Sequence, residues 1–211
     1  ILLSMDELVE NIKKVYNLST ESERAEGLVW YADARKICVR LSKKYNVPVK
    51  IVCYVMAALS PNNKWQRNIT DTKRVLEFFS TGELSLKVAC YLTGDKEALK
   101  NIACTYTANL MKAFYILQTN DITHLKGLKT NNFALNIYHK NDSYVTVDYH
   151  AVSIAQNFRY TIESIKSTAF RAKQYHEIAE AYKKAGEDLG LQAKALQAIT
   201  WVAWRNVDKA V

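Results

Sequence analysis

A chain of 211 residues, 49% of them apolar, is long enough for one substantial domain or for two small lobes sharing a cleft. Its 29 basic and 21 acidic residues leave a net charge of +8, which favours a polyanionic partner but equally fits an ordinary solvated basic face. The longest apolar run, Val47 to Leu59, contains Lys50 and is shorter than the roughly 20 residues of a membrane span, so no membrane partner is expected.

No signal-peptide pattern is present, and the start at Ile1 rather than Met leaves a trimmed N-terminus open. The four cysteines, Cys38, Cys53, Cys90 and Cys104, are widely spaced within apolar helical patterns and form no C-x-x-C pair. They read as buried free thiols in an intracellular, reducing compartment, cytoplasm, nucleoid or nucleus. The histidines do not cluster either, so neither a metal nor any other cofactor is expected.

Six glycines and two prolines in a chain dominated by helical periodicity make the fold class all-α. Met5 to Tyr16 is a short amphipathic helix with Leu8, Ile12 and Val15 on one face. Glu21 to Tyr45 is a long helix with Trp30, Ala34, Ile37 and Leu41 as its stripe. Pro48 restarts the chain into Val49 to Leu59, apolar enough to lie in the core. Ser60-Pro61-Asn62-Asn63 breaks it, and Lys64 to Phe79 follows. After Gly82 comes a short helix around Ser85 to Tyr91, and Asp95 is placed to cap a helix running to about Leu117.

Gln118 to Lys126 is a polar loop, Leu128 to Tyr138 a helix, Lys140-Asn141-Asp142 a turn and Tyr144 to Val147 an extended run. Ala151 to Phe158, Thr168 to Leu189 and Leu191 to Val207 complete the helices, the last two separated by Gly190. No linker composition interrupts the chain, which reads as a single unit, 1–211, of two lobes whose boundary the sequence does not mark.

Two residues carry the chemistry. Lys129 sits near the start of a helical segment after a glycine-containing turn, and Phe133, Leu135 and Ile137 on that segment make its partial burial an expectation. A buried lysine, or one beside a second cation such as Lys126, is a nucleophile; an exposed helix-start lysine is the plainer alternative. Asp148, nineteen residues on, ends the VTVD run before another helix. It is either a simple N-cap or a capping carboxylate that also serves catalysis.

The runs Lys129-Thr130-Asn131-Asn132-Phe133-Ala134-Leu135-Asn136 and Val145-Thr146-Val147-Asp148-Tyr149-His150 resemble the signature of the helix–hairpin–helix DNA glycosylases. That superfamily includes endonuclease III and the 8-oxoguanine DNA glycosylases. The resemblance implies two helical lobes around a DNA-binding cleft, Lys129 as catalytic lysine and Asp148 as catalytic aspartate. Leu59-Ser60-Pro61-Asn62 occupies the place of the family's L-S-x-Q-like turn, which makes Asn62 or Asn63 the wedge that fills the gap left by a flipped nucleotide. Turn chemistry alone also accounts for both asparagines.

By the same resemblance to the 8-oxoguanine branch, Phe133, Gln197 and Trp201 would line the base pocket, although aromatic residues at helical spacing usually pack in a core. Lys64, Arg67, Lys126 and Arg159 would hold the DNA backbone, with Gly127, Thr130 and His150 completing the DNA contacts. The family's hairpin, usually L-P-G-V-G, is degenerate here: Gly127 remains and Leu125 takes the place of the first glycine. The cluster cysteines of endonuclease III are absent.

The expected function is therefore a monomeric DNA glycosylase with AP lyase activity on double-stranded DNA, excising a damaged or modified base, 8-oxoguanine foremost. A different lesion, a hypermodified base, a non-catalytic DNA-binding module on the same scaffold and an α-helical protein-interaction domain are the alternatives.

Overall fold

A computed structural model describes residues 3–103, 105–167 and 170–208, with the side chains of Ser167 and Asp208 excepted. Every regular element among these residues is helical. The chain divides into two compact units, Ile1–Ala34 with His139–Val211, and Arg35–Tyr138. One division falls inside a continuous helix, α2 (Glu21–Tyr45), where no turn residue exists to mark it.

The first unit holds α1 (Met5–Leu18), the start of α2, α8 (Tyr149–Gln156), α9 (Ile162–Ser167), α10 (Ala172–Leu189) and α11 (Ala193–Asp208). Ser4 and Glu7 close a capping box on α1, and Thr20 and Glu23 close another on α2, satisfying helix-start N–H groups that water would otherwise have to serve. Ile12, Ile154, Ala181, Tyr182 and Leu196 are among the residues buried in this unit's core. Gly27 allows α2 to press on α11, since a Cβ there would lie 2.7 Å from the Ile199 side chain. Gly190 ends α10 at a φ of +67° and lets the chain reverse into α11.

In the second unit α3 (Val49–Ala58) is the central element, with Ile51 to Ala58 all buried. It packs against α6 (Thr107–Thr119) and α7 (Leu128–Tyr138), while α4 (Trp65–Ser80) and α5 (Glu83–Leu92) lie beside each other. A helix apolar on every face can only be covered from all sides, which is why this short segment organises its unit.

Several expectations change. The buried residues of α2 include Tyr31, Ala34, Cys38 and Leu41, whereas Trp30 and Ile37 are half-buried. No helix begins at Asp95: its carboxylate accepts from the Glu97 N–H at 3.0 Å, Asn101 is left-handed, and α6 starts at Thr107. Local side-chain hydrogen bonding there has won over helix continuation. The helix ending at Leu189, α10, starts at Ala172 rather than Thr168, which lies outside the described residues, and the short α9 precedes it. Cys38 and Cys53 are buried, and a thiol hydrogen bond to Cys53, with burial, pushes Cys38 upward in pKa. Cys90 is exposed, on the outer face of α5, contrary to expectation, and Cys104 lies outside the described residues.

The run Tyr144 to Val147 forms no strand. Its backbone is satisfied by a side chain instead: the Tyr175 hydroxyl donates to the Val145 carbonyl at 2.7 Å and accepts from the Val147 N–H at 3.1 Å. With no neighbouring strand in reach, one phenol on α10 serves as both donor and acceptor for the segment.

Candidate functional site

Within the second unit, α7 begins directly after a turn held by side chains of its own first turn. Asn131 Nδ2 donates to the carbonyls of Leu125 and Gly127, and Thr130 Oγ1 donates to Gly127 O at 3.2 Å. Leu125 is buried, so the residue in place of a glycine anchors the turn by apolar packing. Lys126, Gly127 and Lys129 are exposed, and Thr130 is buried. Lys129 therefore stands in solvent at the first turn of α7, not partly buried as its apolar neighbours imply.

One turn along α7, Phe133 meets Trp65 edge to face at 6.5 Å between ring centres. That contact ties α7 to the start of α4, where Lys64 and Arg67 are exposed. The preceding turn is rigid. Asn62 adopts a φ of +55°, and Asn63 Nδ2 donates to Leu59 O at 3.2 Å and to the buried carboxylate of Asp71 at 2.9 Å. Asn63 is thereby committed to the turn's interior, while Asn62 faces outward and donates to the Tyr106 hydroxyl at 3.3 Å. Tyr106, 63% exposed, escapes sequence reasoning because it lies 44 residues from Asn62 and belongs to no periodic face.

In the first unit Asp148 is the N-cap of α8, accepting from the Ala151 N–H at 2.8 Å. The segment leading to it is fixed by the Tyr175 hydroxyl, and further back by Lys194, whose ammonium donates to His139 O at 2.6 Å and to Asp142 at 2.7 Å. Burial pushes the phenols of Tyr31 and Tyr182 upward, and the negative charge of Asp148 adds to both. The carboxylate thus sits beside a buried phenolic network as well as on a helix start.

Gln197 belongs to that network: it is 5% exposed, and its side-chain oxygen accepts from the Tyr31 hydroxyl at 2.7 Å. Trp201 is half-buried, edge to face with Trp30 at 6.0 Å and with the Arg205 guanidinium 4.3 Å over its ring. His150 packs on Tyr149 with ring centres 4.0 Å apart, and Arg159 is exposed and stacks on Trp204 at 4.1 Å. The structure thus brings Asn62, Asn63, Lys64 and Phe133 together around Trp65 and the α3–α4 turn in one unit. In the other it places Asp148, His150 and Arg159 along the start and exit of α8.

No group of three or more histidine, cysteine, aspartate or glutamate residues is arranged for a metal ion among the described residues. Among the same residues no helix is long and apolar enough to cross a membrane.

No curated protein and no solved structure matches the chain. A family profile does match, over residues 2–208, and the chain accordingly belongs to DUF7178, a family of unknown function.

Proposed function

We propose that this protein is a DNA glycosylase with AP lyase activity, using Lys129 as the amine nucleophile and Asp148 as the carboxylate. The observation that carries the reading is the outward pair of Asn62, on the turn that Asn63 and Asp71 hold, and Tyr106, which meets it from the start of α6. A turn amide with an exposed aromatic ring hydrogen-bonded beside it suits insertion into a base stack, filling the space of an extruded nucleotide. Exposed Lys64, Arg67 and Lys126 in the same unit supply cations for phosphates.

In the proposed chemistry the unprotonated Lys129 amine attacks C1′ of the target sugar as the C1′–N bond to the base breaks. The base leaves with the bonding pair and takes up a proton. The negative charge of Asp148 stabilises the cationic character that develops on the sugar. The attacking nitrogen sheds a proton, and the C1′–O4′ bond of the resulting aminal opens with O4′ taking up a proton. The Schiff base so formed loses a C2′ proton, after which β-elimination breaks the C3′–O bond, the phosphate leaving with the bonding pair and nicking the strand. An oxidised purine, 8-oxoguanine foremost, is the proposed base.

A second reading, a non-catalytic DNA-binding module, is favoured by the exposure of Lys129, since an amine in bulk solvent has none of the desolvation that ordinarily activates a nucleophilic lysine. Borohydride trapping on duplexes containing 8-oxoguanine, an abasic site, uracil or a bulky modified pyrimidine separates the two. A covalent adduct lost in Lys129→Gln supports the enzyme. Salt-sensitive duplex binding without an adduct or base release supports the binding module.

A further inference from the structure

Past Asp148 the chain runs through α8, leaves it at Asn157 with a φ of +50°, and continues through Phe158 to Glu163. A cavity of about 430 Å³ opens here within the first unit, lined by Tyr149, His150, Arg159, Tyr160, Glu163 and Trp204 among others. Its volume falls in the range of small-molecule sites, about 300–1,000 Å³. Much of the lining is flat rings: Tyr149 against His150 at 4.0 Å, Tyr160, and the Trp204 indole beneath the Arg159 guanidinium at 4.1 Å.

Rings in pairs and a stacked arginine select a particular chemistry. A guanidinium lying face-on to an indole keeps its N–H donors in its own plane, the geometry that grips a phosphate. Tyrosine and histidine faces beside it take a planar heterocycle by stacking, which tolerates any base. A purely apolar ligand would gain nothing from Arg159 or from the Thr161 hydroxyl that also lines the cavity. Arg159 and Glu163 give the lining one charge of each sign, so an anion is held by the guanidinium's geometry and not by net charge.

We propose that this cleft binds a nucleotide, its base against the aromatic rings and its phosphate on Arg159. The ligand is either a free mononucleotide or one unpaired nucleotide of a strand. The assignment does not depend on the chemistry of Lys129, so a failed trapping assay leaves it standing, and its failure leaves the trapping result standing.

The test is fluorine NMR on the full chain labelled with fluorotryptophan, which resolves the four tryptophans, with Trp204 assigned through Trp204→Phe. Deoxyguanosine monophosphate, deoxyguanosine and a short single-stranded oligonucleotide are titrated in turn. The Trp204 resonance is expected to shift saturably with the monophosphate or the oligonucleotide, and more weakly with the phosphate-free nucleoside. Saturation by the monophosphate identifies a free-nucleotide site, and saturation by the oligonucleotide alone identifies a strand site. Arg159→Ala, at an exposed position that leaves the fold intact, is expected to weaken binding about tenfold or more. No shift with either phosphate-bearing probe, or an affinity unchanged in Arg159→Ala, overturns the proposal.

Discussion

Lys194 and Asp142 form an ion pair at 2.7 Å with side chains only 8% and 3% exposed, and the same ammonium reaches the carbonyl of His139. The pair fastens α11 to the loop that leads to Asp148. Removing one partner strands the other charge out of water, at a cost of about 3–5 kcal/mol. Lys194→Met is therefore expected to lower unfolding free energy by that amount in urea denaturation. The double variant Lys194→Met/Asp142→Leu should recover much of the loss, because no unpaired charge remains.

Lys129 should behave in the opposite way. It is exposed, and surface substitutions of this kind change stability by no more than about 0.5 kcal/mol. Lys129→Gln is expected to melt within about 2 °C of the wild type while losing the borohydride adduct and base release. Retained excision by this variant would remove Lys129 as the nucleophile.

At Asp148 the structural and chemical roles can be separated. Asparagine caps a helix about as well as aspartate, whereas alanine costs about 1 kcal/mol at such a position. Asp148→Asn is expected to keep its melting temperature and lose base-release rate by about 100-fold or more. Asp148→Ala should lose both. Equal activity of the wild type and Asp148→Asn would leave the residue a cap alone.

The Tyr106 ring, 63% exposed, contributes little to its unit's core. Tyr106→Ala is expected to leave folding unchanged and to weaken binding to lesion-containing duplex by about 1–3 kcal/mol, the range for loss of one stacked ring. The measurement is fluorescence anisotropy against matched and lesion duplexes at fixed salt, where a uniform loss on both would point to a phosphate contact instead.

Glu23 supplies a pH dependence. Its carboxylate accepts from the Thr20 N–H at 2.9 Å and from Asn206 at 2.8 Å, and the Thr20 backbone hydrogen bond foremost holds its pKa below the ordinary 4.5. Folding therefore gains stability above the unfolded-state value and loses it as pH falls through the lower folded value. Glu23→Gln retains a capping-box residue but not the charge. The wild type should be more stable at pH 7 by less than about 1 kcal/mol, given solvent screening, and the two should converge as the pH falls through the lower folded value.

The helices were legible because their information is local. The bounds of α2 and α7 follow from periodicity and flanking turns, and α3 from its continuous apolar run, since each depends on residues within a few turns of one another. The failure at Asp95 was a local conflict that only side-chain bonding resolves, and what the sequence left unsaid about the extended run 144–147 was its hydrogen-bond partner, a tyrosine on α10.

Site residues divide the same way. Asp148 as a helix cap is written in its sequence neighbourhood, and its hydrogen bond to Ala151 follows. The exposure of Lys129, the burial of Gln197 under Tyr31 and the pairing of Asn62 with Tyr106 are not written there. By itself the sequence determined an all-helical chain, its core helix α3 and the capped carboxylate, because helix formation and capping are short-range physics. Only the tertiary structure decided which polar side chains face water and which meet across distant segments. Burial is a property of what packs on a residue, and for these residues the packing partner lies far along the chain.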